Sequence, residues 1–214
     1  MRLVLGSPAR CSDGLFGELV DVVVDPLTRT VTQLVVEPHH RHWMARLVPI
    51  ELARPEGDDG ALALACTIAE ARRLELVQQS AFLRLGEEPQ IDDPDWDVGS
   101  DGVLVLPYYG FDAPPSHDAL ETAVYDRIPK GEVEIRRSST VTSADGHVLG
   151  HVEGLVVDAD DHITHVLLQR GHLWGKREVT IPVGAVDDVR PDAITLGLAM
   201  EDVRRLPEVA VRRR

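Results

Sequence analysis

The chain repeats itself. Asp13-Gly14, Gly17 and Asp25 recur as Asp145-Gly146, Gly150 and Asp158, a period of about 132 residues in a chain of 214. Thr32, Leu34 and Val36 recur as Thr164, Val166 and Leu168, and Arg72-Arg73-Leu74 recurs as Arg204-Arg205-Leu206. Allowing small length differences, Trp43 and Arg46 align with Trp174 and Arg177, and Pro49 with Pro182. The order is the same in both flanks, which chance explains poorly. Whatever one flank forms, the other should form again.

Each flank reads as β structure. The Asp-Gly dipeptides are turn signals. Glu18 to Val24 is rich in β-branched residues, Pro26 and Thr28 supply a turn, and Val31 to Glu37 returns as the second arm of a hairpin. The second flank repeats this with Leu149 to Asp158, a turn at Asp160-Asp161, and Ile163 to Gln169. Shorter strands are expected at Leu47–Ile50 and Ala61–Ala65, and again at Val179–Val183 and Ala193–Leu196. Ile68–Val77 and Met200–Leu206 suit short closing helices. The expected fold is mainly β: two small β-barrels related by internal duplication, each with a short C-terminal helix.

Between the flanks the composition changes. From Leu85 to Asp126 there are eleven acids and no Lys or Arg, together with Pro89, Pro94, Pro107, Pro114 and Pro115. Over the whole chain 36 acids oppose 22 bases, a net charge of −14, and without the acidic stretch the remainder is nearly neutral. Trp96, Tyr108, Tyr109, Phe111 and Tyr125 argue against a wholly disordered linker. Val103 to Leu106 reads as a strand, with 86–101 staying loose. The expected organisation is a first barrel over 1–78, an acidic, partly ordered linker over 79–131, and a second barrel over 132–214. Barrels this small are individually marginal, so the two should pack together, with the linker strand across the seam.

The residues carrying the repeat resemble the PRC-barrel domain: an Asp-Gly turn, a glycine, a Val-rich strand, an Asp turn, a Thr-x-Leu/Val strand, then Val-Pro or Ile-Pro. The resemblance covers 1–77 and 132–207. Tyr125-Asp126-Arg127-Ile128-Pro129 and Gly171-His172-Leu173-Trp174-Gly175 are similar to tandem versions of the domain found in actinobacteria. The domain is shared by the reaction-centre H subunit and the ribosome-maturation factor RimM. The resemblance implies a fold. It carries over neither function, because the membrane anchor of the first and the RNA-processing domain of the second have no counterpart in this chain.

Candidate sites divide by chemistry. His39, His40 and His42, and His162, His165 and His172, lack the spacing that makes imidazoles converge on a metal, and read as solvated loop histidines. Asp158, Asp160 and Asp161 read as a hairpin turn, not a calcium loop. Cys11 and Cys66 cannot build a disulfide framework or a four-thiolate zinc site, and are expected as small buried hydrophobes. No nucleophile elbow or phosphate-cradling loop occurs, so no catalytic residue, metal or cofactor is assigned. The acidic charge disfavours nucleic acid despite Arg212-Arg213-Arg214. No apolar run approaches the ~18–20 residues of a membrane span, and Met1–Gly6 is too short for a signal peptide.

That leaves the loops at His42, Trp43 and Arg46 and at His172, Trp174, Lys176 and Arg177. Trp and Arg recur at binding hot spots because one side chain combines apolar area with a polar handle. The alternative is that each Trp plugs its own barrel. The expectation is a cytoplasmic, non-catalytic interaction or adaptor protein whose partner is another protein, with self-association open. The competing readings are an RNA- or ribosome-associated factor and a metal-dependent enzyme.

Overall fold

The computed structural model describes residues 1–38, 44–57, 60–84, 96–98, 104–107, 120–129, 131–170, 177–190, 192–206 and 208–209, without side chains for 78–84, 96–98, 104–107, 120–127, 169–170, 177–178 and 208–209. The first flank contains β1 (Arg2–Val4), β2 (Pro8–Cys11), β3 (Gly14–Asp25), β4 (Thr30–Glu37), β5 (Arg46–Pro49), β6 (Ala53–Glu56), β7 (Ala61–Leu64) and α1 (Ile68–Ala71). Between the flanks lie β8 (Gln78–Arg84), β9 (Trp96–Val98), β10 (Leu104–Pro107) and β11 (Leu120–Pro129). The second flank contains β12 (Val133–Arg136), β13 (Thr140–Thr142), β14 (Val148–Val157), β15 (Ile163–Arg170), β16 (Arg177–Pro182), β17 (Val186–Arg190), β18 (Ala193–Leu196), α2 (Met200–Arg204) and β19 (Glu208–Val209). The chain is mainly β, as its sequence leads one to expect.

Each flank forms a sheet, and the strand orders correspond: β5-β4-β3-β2-β7-β6 in one, β16-β15-β14-β13-β18-β17 in the other. The β2/β7 and β13/β18 pairs are parallel, and their neighbours in each sheet are antiparallel. The two long hairpins turn by the same chemistry. Asp25 Oδ1 accepts from the amides of Leu27 (2.8 Å) and Thr28 (3.3 Å), and Asp158 Oδ1 from those of Asp160 (2.9 Å) and His162 (3.0 Å). Arg29 (φ 58) and Asp161 (φ 61) take the left-handed conformation that lets a hairpin reverse.

The sheets exchange their first strands. β1 pairs with β14, setting Leu3 opposite Leu155, while β12 pairs with β3, setting Ile135 opposite Val22. The chain then crosses back to its own sheet: Leu19 N donates to Ser7 O (2.9 Å), and Val152 N to Ser139 O (3.0 Å). Gly154 is required at one crossing, because a Cβ there would sit 2.0 Å from Leu3 O. The hairpin tips also meet, with Val31 N donating to Asp161 O (3.0 Å) and Ile163 N to Arg29 O (2.8 Å). The seam is therefore made by β1, β12 and the hairpin tips, where the sequence reading set the linker strand.

One apolar core runs through both flanks, with Leu3, Leu19, Leu34, Ile135, Leu155, Leu168 and Ile181 among its members. Burying each such side chain contributes about 1.5–3 kcal/mol, so neither sheet is filled without the other's strand. A second, smaller cluster of Val23, Val35, Ala45, Leu47, Val77 and Ile128 lies on the opposite face of the first sheet. Ile128 is the last residue but one of β11, next to Pro129, and β11 pairs with β8, β9 and β10 in a four-stranded sheet. The middle of the chain thus holds more than the one strand expected: Trp96–Val98, inside the stretch read as loose, pairs with Arg127–Pro129. Both helices are shorter than their polar-apolar segments. After α1 the chain straightens, and Leu47 N donates to Glu75 O (3.0 Å) and Val77 N to Ala45 O (3.0 Å). Those edge bonds end the helix.

Candidate functional site

Residues 38–45 connect β4 to β5, and 171–176 connect β15 to β16. His39, His40, His42, Trp43, His172, Trp174 and Lys176 lie outside the described residues. Arg177 opens β16 opposite Arg170.

Arg46 is half-buried and held within its own flank. It stands opposite Val36, on the same strand face as the fully buried Val48. Nη1 donates to Leu74 O (3.0 Å), tying β5 to the segment after α1. Nε is buried with no hydrogen-bond partner, and burial holds the guanidinium below its usual pKa. Register also revises the equivalence drawn from sequence. Val179 lies opposite Leu168 as Arg46 lies opposite Val36, so the counterpart of Arg46 is a buried valine. Arg177 sits two residues earlier. The loop lengths differ, and matching arginine to arginine absorbed that difference in the wrong place.

A cleft of about 380 Å³ opens where β12 lies on β3, lined by Gly6, Glu18, Val20, Asp21, Arg136, Arg137 and Ser138. Sequence reasoning missed it, since its walls come from segments more than a hundred residues apart. Two charged residues of its lining, Asp21 and Arg136, are buried, and Arg136 is backed by the buried Glu134. Arg136 stands opposite Asp21 in register, and its Nε (2.9 Å) and Nη2 (2.7 Å) both donate to Glu134 Oε2. Arg136 Nη1 lies 4.0 Å from Asp192 Oδ1. Buried charges survive only when paired, so Arg136 is committed to the strand junction. The rim carries Glu18 and the exposed Arg137. The lining carries both signs of charge and does not form a one-signed anion cradle.

Nearby, Thr32 Oγ1 donates to Glu132 Oε2 (2.6 Å) across the junction of the flanks. Burial pushes the Glu132 carboxyl up, with Asp25 adding to the effect and the Thr32 bond opposing it. Asp158, Asp160 and His162 bring one ligand atom each within 4.8 Å of one another, all exposed. Asp158 Oδ1 already serves two turn amides, and Asp25 does the same work in the other hairpin. The slight burial of Asp158 is outweighed by those amides and by His162, which hold its carboxyl below the usual range. The group is a turn, as its sequence leads one to expect.

Cys11 and Cys66 are free thiols whose sulfurs lie 3.9 Å apart. Cys11 is buried, as expected, and Cys66 is half-buried. No family model matches this chain, and no curated protein matches it.

Proposed function

We propose that the chain is a tandem PRC-barrel-like protein, two small β-barrels related by internal duplication, serving in the cytoplasm as a non-catalytic adaptor for a protein partner. Duplication is supported by register as well as by strand order. Leu3 faces Leu155 and Ile135 faces Val22, and the pairs correspond when Leu3 is matched to Ile135 and Val22 to Leu155, shifts of about 132 residues that differ by one. The single observation that carries the functional reading is the reciprocal strand exchange. It fuses both flanks into one core, so the two Trp-containing connections, 38–45 and 171–176, leave corresponding hairpins of a common frame. Loops on a rigid scaffold are the usual place for recognition. His42, Trp43, His172, Trp174, Lys176 and Arg177 are the proposed contact residues, with Arg46 holding the base of the first loop.

The test is affinity capture of the partner from cells of the source organism, comparing wild type with Trp174→Ala and Trp43→Ala. Trp174→Ala should lower capture several-fold while the melting temperature moves by only ~2 °C, as a surface substitution does. A stable Trp174→Ala protein with undiminished capture would remove the second loop from the interface. RNA retention that weakens steeply with salt would replace the adaptor reading with a ribosome-associated one. A stoichiometric metal after native purification would favour the enzyme.

A further inference from the structure

We propose that Cys11 and Cys66 are a peroxide-responsive dithiol, which closes to a reversible intramolecular disulfide within the first sheet. The two cysteines are far apart in sequence and are brought together by the β2/β7 ladder. Ala9 pairs with Leu62 and Arg10 with Ala63, a register that sets the last residue of β2, Cys11, level with Leu64, and Cys66 follows just beyond the end of β7. Ser12 N donates to Cys66 O (2.9 Å), fixing that alignment just beyond the strand ends. The sulfurs stand 3.9 Å apart, so side-chain rotation with little backbone movement closes the bond.

The surroundings divide the roles. Cys11 is 7% exposed, and burial, followed by the neighbouring Cys66 and the charges of Asp13 and Glu70, pushes its thiol up to about 12. It stays protonated and hidden. Cys66 is half-buried, and a small hydroperoxide reaches it first. Its thiolate attacks the distal peroxide oxygen, the O–O bond breaks, and the alcohol or water leaves, giving a sulfenic acid. The Cys11 sulfur then attacks the Cys66 sulfur. The S–O bond breaks, and the departing hydroxide takes the Cys11 proton as water. Two thiols and one hydroperoxide become one disulfide, one alcohol and one water.

The second sheet shows that packing does not demand this pair. There Ala144 N donates to Leu198 O (2.9 Å), the same backbone bond, and the corresponding side chains are Ser143 and Leu198. The fold accepts a hydroxyl and an isobutyl group where the first sheet carries two thiols.

The experiment treats the reduced full-length protein with hydrogen peroxide and follows intact mass, a peptide map and thermal melting. The expected product has lost two hydrogens, yields a Cys11–Cys66 cross-linked peptide, returns to the starting mass with dithiothreitol, and melts roughly 4–12 °C higher because a long loop is closed. Cys11→Ser, which copies Ser143, should fold normally and stop at a Cys66 sulfenic acid trapped by dimedone. Oxygen addition at Cys66 of the wild type without cross-linking would overturn the proposal. So would a disulfide between two chains, or thiols unchanged under peroxide that oxidises a model dithiol.

Discussion

The two sheets agree on the face they share and differ on the face they turn away. In the first, Val23, Val35 and Leu47 are buried on that outer face beneath Val77 and Ile128. In the second, Leu167 is buried on the corresponding face, but Thr180 stands opposite it where Leu47 stands opposite Val35, and Thr180 and Val156 are only half-buried. Glu178 precedes Val179 as Ala45 precedes Arg46. A β-sheet with two apolar faces must be covered twice, whereas one with a polar face can meet water. The polarity of a few strand positions thus decides which sheet receives the end of the linker.

The inner faces differ at Arg46 and Val179 as well. Val179 is part of the common core, while its counterpart Arg46 spends one donor on Leu74 O. The helix starts differ too. α1 has a capping box, with Thr67 Oγ1 accepting from Glu70 N (3.2 Å) and Glu70 Oε2 accepting from Thr67 N (2.8 Å). The Ala199 cap of α2 has no side-chain bond, which leaves Asp145 Oδ1, 3.1 Å from Met200 N, to serve the first turn. The equivalent bond from Ile68 N to Asp13 Oδ1 is 2.8 Å. One backbone plan is held by different side chains.

The sharpest way to break this comparison is to attack the exchanged strands. Leu3 and Ile135 are at most 2% exposed, and truncating either to Ala should cost about 2–5 kcal/mol. The informative part is where the damage lands. Leu3→Ala should speed hydrogen exchange in β14 of the second sheet, and Ile135→Ala in β3 of the first. Loosening confined to the mutated residue's own flank would mean that the strands are not exchanged.

A smaller effect separates the outer faces. Ile128→Ala removes a buried side chain from the cluster on the first sheet and should cost about 2–3 kcal/mol in chemical denaturation. Thr180→Ala, on the corresponding face of the second sheet, should stay within about 0.5 kcal/mol. Equal losses would show that both outer faces are covered alike.

Much of this framework was legible in the sequence, and the reason is local. Asp25 and Asp158 announce their hairpins because an aspartate before a tight turn bonds the next amides, and Val-rich runs announce strands because alternate side chains meet a core. What was not legible depends on partners distant in sequence. Nothing in Arg2-Leu3-Val4 states that its neighbour is Leu155 and not Val22, because both sheets offer an equally apolar edge. The Cys11–Cys66 proximity and the charged cleft at Asp21 and Arg136 arise from such long-range pairing. The Trp loops were legible as composition, and they lie outside the described residues.

A last, small effect concerns a carboxyl that meets the first sheet at Thr32. Thr32 and Thr164 occupy matching positions, and their hydroxyls donate to Val23 O (3.3 Å) and Val156 O (3.0 Å), but Thr32 also reaches Glu132 Oε2. Burial raises the Glu132 carboxyl above its ordinary pKa of 4.5. Between the unfolded and folded values the native state holds more protons than the unfolded chain, so this group's contribution to stability falls as pH rises through that window. At neutral pH the native protein therefore carries a partly buried carboxylate that it would hold better neutral. Glu132→Gln keeps an oxygen to accept from Thr32 and removes the charge. It should raise stability at pH 7 by no more than about 1 kcal/mol, because the site is still partly open to screening solvent, and the gain should vanish near pH 4. Melting curves of both proteins across that range read the difference directly. A variant less stable than wild type at pH 7 but equal to it at pH 4 would mean that the Glu132 charge is held by a cation, and that the contact with Thr32 is a stabilising link between the flanks in its ionised form.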